Sequence, residues 1–171
     1  GILMKAEVVK GWPRNNAIRI LLKDTDSSQV NAIRRALISD VPKLAITRVN
    51  ITQGVVENDG QIMESVNVLP DEVLAHRLAM IPIPTFTDDN IYFTENCEEC
   101  MYKADTEKGC QQCQIIYSLN VQGPASDSEQ QTVTVYAEDL TTVSDQKYDI
   151  LEEHKRIPLT ILSKGQYLEL Y

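Results

Sequence analysis

The opening of the chain alternates between apolar and polar positions in a way that predicts a β-hairpin. Residues 3–9 and 17–23 each show the two-residue period of a half-buried strand. The segment that joins them, Gly-Trp-Pro-Arg-Asn-Asn, is typical of a turn. We therefore expect two short antiparallel strands at the start of the fold.

A helix is predicted next, because apolar residues return at helical spacing. Ser27 or Ser28 can cap its start, since a serine hydroxyl accepts the unpaired amide hydrogens of the first turn. Pro42 stops the pattern near Asp40. The apolar stripe consists of Val30, Ile33 and Leu37.

The middle of the chain predicts a strand, a loop and a second helix. Residues 44–53 carry the apolar set of a strand, and residues 54–68 are polar and contain glycine, which favours a loop. The second helix is expected to start at Pro70, where a missing amide hydrogen costs nothing, and to end before Pro82.

The remainder favours β-structure around a cysteine-containing segment. Strands are predicted at 114–122 and 132–138, then a charged, irregular stretch at 140–156, then two final strands on either side of residues 163–165. Two helices among several strands indicate the α+β class.

Composition and charge narrow the functional classes. The chain has 171 residues, 43% of them hydrophobic, and no apolar run approaches the roughly 20 residues of a membrane span. Its net charge is −9, which repels nucleic-acid phosphates. We expect a soluble, cytoplasmic protein that neither associates with a membrane nor binds nucleic acid directly.

The four cysteines predict a metal site. Cys97, Cys100, Cys110 and Cys113 form two CxxC pairs separated by nine residues, and no cysteine lies elsewhere. Two such turns can direct four sulfurs at one point, as in structural zinc ribbons, so zinc is the favoured metal. An iron–sulfur cluster, or disulfides and free thiols, remain the alternatives.

Catalytic motifs are not found in the sequence. The seven glycines are scattered, so neither a phosphate loop nor a dinucleotide fingerprint is formed. His76 and His154 stand alone, and no G-x-S-x-G or H-E-x-x-H pattern occurs. Nothing in these residues therefore specifies an enzyme.

Two blocks of sequence resemble the assembly subunits of cellular RNA polymerases. The first is Asn-Ala-Ile-Arg-Arg-Ala-Leu at residues 31–37, followed by Val-Pro-Lys-Leu-Ala-Ile at 41–46. The second, residues 69–83, reads Leu-Pro-Asp-Glu-Val-Leu-Ala-His-Arg-Leu-Ala-Met-Ile-Pro-Ile. Both are similar to the motifs of the archaeal D subunit, its eukaryotic third-largest-subunit counterpart and, for the first block, the bacterial alpha N-terminal domain.

The resemblance implies a discontinuous fold. Residues 1–48 would be the N-terminal half of an alpha-type dimerisation domain, a sheet with a helix across it. Residues 49–171 would be an inserted, mostly β domain that carries the metal loop at 97–113. The family continues beyond this point with a long C-terminal helix, so the chain is expected to lack that C-terminal part.

The resemblance also implies partners. In the family the dimerisation domain pairs with a small L-type subunit, and the pair docks the second-largest polymerase subunit. Arg34, Arg35, Ile33 and Leu37 are the predicted interface residues, with the arginines flanking the apolar stripe. The alternative is that the stripe covers only its own sheet and that both arginines are solvated.

Two other functions compete with this interpretation. A free-standing zinc-ribbon transcription regulator would need clustered basic residues, whereas the cysteine segment is acidic. A redox protein using the CxxC pairs would need a thioredoxin-like βαβ context, which the predicted elements do not supply.

Overall fold

A computed structural model describes residues 3–65, 71–91, 93–143 and 145–171 of the chain. The chain forms two compact units, Gly1–Pro42 and Lys43–Tyr171. Two α-helices and several β-strands are present in this part of the chain, so the predicted α+β class is confirmed. The predicted helix start at Pro70 and the end of the predicted loop, residues 66–68, lie outside the described residues.

The first unit contains the predicted hairpin and helix. Strand β1 (Lys5–Val8) pairs antiparallel with β2 (Ile20–Lys23), and Val8 lies opposite Ile20. Helix α1 (Ser27–Ser39) follows and ends at Asp40, as the position of Pro42 predicted. Both strands are shorter than predicted, because the residues between them form a structured turn.

The cap of α1 was predicted wrongly. The capping residue is Asp26, whose side chain accepts a hydrogen bond from the Gln29 amide at 2.9 Å. Asp26 has the extended backbone that a capping residue needs, whereas both serines already lie in the first helical turn.

The described residues of the first unit, 3–42, do not form a buried core. No residue of β1, β2 or α1 is buried, and the most apolar positions of the helix face solvent. Leu37 is 65% exposed and Ile38 is 64% exposed. A helix of this kind stabilises a protein mainly by packing its apolar face against something else. The described elements of the unit therefore leave an apolar surface that they do not bury themselves.

The second unit is built on a five-stranded mixed sheet and a two-stranded sheet. The larger sheet has the order β3-β4-β9-β5-β7, in which only the β4–β9 pair is parallel. Strands β6 and β8 pair antiparallel to form the smaller sheet. The strands are β3 (Val55–Asn58), β4 (Gln61–Ser65), β5 (Tyr117–Gln122), β6 (Thr132–Tyr136), β7 (Thr141–Thr142), β8 (Pro158–Ser163) and β9 (Gln166–Leu170).

One hydrophobic core joins β5, β6, β8 and β9 to helix α2 (Asp71–Ala79). Leu74 and Leu78 of the helix are buried against it, and Arg77 donates to the Leu159 carbonyl of β8 at 2.8 Å. Two short strands from the end of the chain supply Leu159, Leu162 and Leu168. Within the described residues, neither helix has the length and hydrophobicity needed to cross a bilayer.

The predicted strand at 44–53 is wrong. Only Ile51 forms a β-bridge, with Leu170, while Leu44, Ile46 and Val49 pack against the core from an irregular segment. The adjoining edge of β9 is already paired with β4 at Ser65 and Tyr167, so a short stretch around Ile51 is all that reaches it. The alternating apolar side chains of this segment are partly buried against the core, although the segment does not pair along its length with a neighbouring strand.

The predicted loop at 54–68 is wrong over its described part. Strands β3 and β4 form a hairpin there, with Asp59 and Gly60 as its two turn residues. Both have positive φ, 52° and 76°, which a tight two-residue hairpin requires. The polar residues and the glycine correctly indicated the turn, but they led us to predict a loop where two strands flank that turn.

The charged stretch at 140–156 was predicted to be irregular, but it contains β7 and two short 3₁₀-helices, Gln146–Tyr148 and Glu152–His154. Lys147 and Tyr148 both donate to Asp89, and the lysine–aspartate distance is 2.6 Å. The Lys147 and Tyr148 hydrogen bonds lower the pKa of Asp89. Tyr117 of β5 donates to the Tyr148 carbonyl at 2.5 Å. These contacts hold the segment between β7 and β8 on the core.

Candidate metal centre

Two matching turns bring the four cysteines together. In each turn the third residue after the first cysteine donates its amide to that cysteine's carbonyl at 3.0 Å, from Cys100 to Cys97 and from Cys113 to Cys110. A second amide follows to the same carbonyl, at 2.9 Å in the first turn and 3.0 Å in the second. A tight turn of this form points both of its sulfurs to one side.

The sulfur positions fit a tetrahedral metal ion. All four Sγ atoms lie within 4.8 Å of one another. The Cys97–Cys110, Cys100–Cys113 and Cys110–Cys113 sulfurs are 3.6, 3.7 and 3.8 Å apart. A tetrahedral ion with metal–sulfur bonds of about 2.3 Å requires sulfur–sulfur distances of about 3.8 Å. The four residues could therefore hold one metal ion, and within the described residues they are the one such group.

The cysteines are also the interior of their segment. Cys97, Cys100 and Cys113 are buried and Cys110 is half-buried, in a cluster separate from the main core. No other hydrophobic side chain in the described part of the chain joins this cluster. A segment without an apolar core of its own needs a cross-link, which a bound metal supplies.

Backbone amides bind two of the sulfurs. The Gly109 amide donates to Cys100 Sγ and the Cys110 amide donates to Cys113 Sγ, each at 3.4 Å. The Gly109 hydrogen bond lowers the pKa of the Cys100 thiol. At Cys110 a hydrogen bond from the Gln112 backbone amide lowers the pKa of the thiol. Burial and the neighbouring thiols outweigh it and raise the pKa of Cys110 to about 12. Burial likewise raises the pKa of Cys113.

These shifts predict how metal affinity depends on pH. A metal binds thiolates, so it must displace the protons of thiols such as Cys110, whose pKa is about 12. Affinity is therefore expected to fall steadily as pH falls from mildly alkaline to mildly acidic. Chelator competition at a series of pH values measures this, and the release of protons on metal addition checks it independently. Affinity that does not change with pH would contradict thiolate ligation.

Three contacts that the sequence did not indicate hold the two turns in place. Gln112 donates to Glu99 at 2.8 Å and so ties one turn to the other. Arg48 donates to the carbonyls of Lys108 and Asp105 at 3.2 and 3.4 Å. Arg48 is far from the cysteines in sequence and carries no local signal of this role.

Gly109 also supports the metal turns, and its role could have been predicted from the sequence. It directly precedes Cys110 and has a φ of +132°, a backbone angle that residues other than glycine rarely adopt. A Cβ atom there would lie 2.0 Å from Gln114 Oε1. Glycine next to a cysteine in a paired CxxC segment is a visible sign of close backbone approach to sulfur.

The other predicted site residues lie on α1, in the first unit. Ile33 is half-buried, while Leu37, Arg34 and Arg35 are exposed. Arg34 donates through Nε and Nη2 to Asn31 Oδ1 at 3.1 and 3.0 Å, which holds its guanidinium along the helix. The stripe and the arginines thus remain accessible on one element.

Comparisons with known proteins point in one direction. The family described as "RNA polymerase Rpb3/RpoA insert domain" matches residues 49–171, which include all four cysteines. The chain is 33% identical over 154 residues to "DNA-directed RNA polymerase subunit Rpo3" of Picrophilus torridus, covering 90% of this chain and 50% of that protein. The same-named protein of Thermoplasma volcanium is 43% identical over 100 residues, 58% of this chain and 34% of that protein.

A plant relative is similar over the same region. "DNA-directed RNA polymerases II, IV and V subunit 3" of Arabidopsis thaliana is 30% identical over 159 residues, covering 87% of this chain and 44% of that protein. The chain therefore spans half or less of the length of these curated relatives.

Proposed function

Because the chain belongs to the RNA polymerase Rpb3/RpoA family, we propose that it is the assembly-platform portion of a non-catalytic polymerase subunit. The observation that carries the proposal is the family match across residues 49–171. The division into half of a dimerisation domain at 1–48 and an inserted domain at 49–171 belongs to the same proposal. The start of the matched insert domain at residue 49 supports it.

The proposed partners are a small L-type subunit and the second-largest polymerase subunit. The uncovered apolar face of the first unit supports this, because Leu37 and Ile38 are more than half exposed on α1. Large exposed apolar surfaces on soluble proteins mark interaction sites. Ile33 and Leu37 would contact the small subunit's side of the interface, and Arg34 and Arg35 would dock the larger partner.

We further propose zinc as the metal of Cys97, Cys100, Cys110 and Cys113. Four thiolates in a closed tetrahedral set are typical of structural zinc, with no open position for substrate. The ion would cross-link the two turns, and the rest of the insert domain would fold on its own core.

Co-purification tests the assembly role. The full-length subunit, co-expressed with the small L-type subunit, is expected to form a 1:1 complex that then binds the second-largest subunit. The full-length subunit alone should be poorly soluble, because the apolar face of α1 is then uncovered. A full-length subunit that stays monomeric in the presence of both partners would overturn the assembly proposal.

The alternative function is that of a free-standing regulator that binds nucleic acid. The charge of the chain opposes it, so we expect no measurable binding of duplex DNA at physiological salt. The chain carries a net charge of −9, and five acidic residues against two lysines lie at 95–108. Non-specific binders reach dissociation constants of ~10⁻⁴–10⁻⁶ M by neutralising phosphates. Fluorescence anisotropy with labelled duplex measures it. A salt-sensitive, micromolar complex would revive the zinc-ribbon regulator.

A further inference from the structure

The turn between β1 and β2 forms a rigid, positively charged tip. Asn15 and Asn16 both have positive φ, 49° and 55°, and the Arg14 and Ala17 amides and carbonyls exchange two hydrogen bonds of 2.9 Å. Val9 donates to the Arg19 carbonyl at 2.9 Å and continues the ladder toward the turn. Two-residue turns of this kind fix strand register and twist. Side chains at the tip are therefore held on a fixed frame.

Two arginines of this frame lie against one tryptophan ring. The guanidinium carbon of Arg14 is 4.4 Å from the centroid of Trp12, and that of Arg19 is 5.1 Å away. Trp12 is half-buried, while both arginines are exposed. Stacking on an aromatic ring orients a guanidinium and leaves its N–H edges available to a further ligand.

The tip has positive charge without an internal counter-ion. Between Glu7 and Asp24 the sequence has four basic residues and no acidic one. One of the four, Lys23, is paired with Glu7 at 2.7 Å. Among the described residues, no carboxylate forms an ion pair with the other three, which are Lys10, Arg14 and Arg19.

We propose that this hairpin tip, defined as Lys10, Trp12, Arg14 and Arg19, binds a short acidic segment of a protein partner. Two oriented guanidiniums can each hold a carboxylate through paired N–H donors, and the lysine adds a third cation. The energetic cost of ordering the arginines is reduced, because the ring already positions them. Tryptophan and arginine are also the residues that most often dominate protein–protein interfaces.

A nucleic acid fits the tip less well. Sequence-tolerant binding of single strands depends on aromatic rings whose faces are open to stacked bases. Here guanidinium groups lie over the ring of Trp12. A long polyanion would also meet the repulsion of a chain whose net charge is −9. A few carboxylates on a peptide need only the local cations.

The proposal does not rest on the polymerase assignment, because it uses only the geometry and charge of the hairpin. It concerns residues outside the metal turns and outside α1. Failure of the assembly experiment would leave it unaffected, and failure of the tip to bind acidic peptide would leave the assembly role unaffected.

The test uses two readouts on the intact chain. Anisotropy of a labelled oligoglutamate peptide reports affinity, and emission of Trp12, the single tryptophan of the chain, reports whether the peptide reaches the tip. We expect saturable binding that weakens with added salt and shifts the tryptophan emission. An oligoglutamine peptide of equal length should not bind.

Variants locate the binding. Arg14→Ala and Arg19→Ala are each expected to weaken affinity about three- to tenfold, the range for an oriented charge pair near a surface. Arg14→Lys keeps the charge but loses the planar fork, and should recover only part of the loss. Lys43→Ala removes one exposed positive charge from the second unit and should bind like wild type.

Three outcomes would overturn the proposal. One is that oligoglutamate does not bind. Another is that Lys43→Ala weakens binding as much as the tip variants do, which would indicate a general charge effect. A single-stranded oligonucleotide of matched charge that binds more tightly than oligoglutamate would assign the tip to nucleic acid.

Discussion

Replacing Cys100 with serine is expected to release the metal and to loosen residues 95–115, while the two sheets of the second unit and helix α1 stay folded. The four cysteines form a cluster separate from the main core, so the turns have no apolar interior to fall back on. Structural zinc contributes about 10–16 kcal/mol of apparent binding free energy in zinc-finger peptides at neutral pH. A single hydrogen bond of the turns contributes only about 0.5–1.5 kcal/mol net, so none of them replaces the metal.

Elemental analysis and hydrogen exchange measure both parts of this expectation. Wild-type protein purified without added metal should contain about one zinc per chain, and the serine variant should contain little. Amide protection should fall within 95–115 and persist in β8 and β9. Gln111→Ser is the matched control, since Gln111 is exposed between the ligands of the second turn. Iron with labile sulfide in the wild type, or unchanged protection in Cys100→Ser, would refute the zinc assignment.

The second large effect is expected on α1. Leu37→Asp should abolish pairing with the small L-type subunit while leaving the chain folded. Leu37 is 65% exposed here, so an aspartate there remains solvated in the free subunit. In a complex the same carboxylate would be buried against apolar surface without a partner, a cost of several kcal/mol. Ile33→Asp should damage folding as well, because Ile33 is half-buried.

Pull-down of reconstituted full-length subunits, with circular dichroism as the folding check, measures this effect. Ala32→Asp is the matched control. Ala32 is exposed and lies about 200° around the helix from Val30, on the opposite side from the stripe. If Ala32→Asp and Leu37→Asp reduce pairing equally, charge on the helix, and not the apolar stripe, is responsible. If Leu37→Asp pairs like wild type, the stripe is not the interface.

Arg34, which adjoins the stripe, and Arg35, about 140° around the helix from Val30, separate the two partners. Arg34→Ala and Arg35→Ala should leave pairing with the small subunit intact and weaken docking of the second-largest subunit. Truncating one member of a buried charge pair costs about 2–5 kcal/mol, against less than about 1 kcal/mol for a solvated pair. Arg34 is already held by Asn31, so less side-chain entropy is lost when it binds. Wild-type docking by both variants would leave the arginines as solvated helix residues.

Local patterns in the sequence were sufficient for the elements that depend on nearby residues. The first hairpin, α1 and the final two strands were predicted from alternation, helical spacing and turn residues. The resemblance to polymerase assembly subunits is confirmed by the family match. The spacing of the cysteines predicted four residues that the structure places within 4.8 Å of one another.

Features that depend on distant partners could not be read from the sequence. Residues 44–53 have the apolar content of a strand, yet only the stretch 50–52 pairs with the end of the chain, because β4 occupies the adjoining edge of β9. The support that Arg48 gives to the metal turns joins segments about 60 residues apart. Neither fact has a local signature, so both required the tertiary structure.

The position of β9 at the centre of the five-stranded sheet has a consequence for synthesis on the ribosome. Its partners β4 and β5 are both made earlier, and neither can find its place until Gln166–Leu170 has left the exit tunnel. The hairpin β1–β2 and helix α1 contain only local contacts, and Arg48, which supports the cysteine turns, is made before them, so all three can form first. A nascent chain arrested before β9 should therefore already capture metal, while its sheet edges stay open to chaperones.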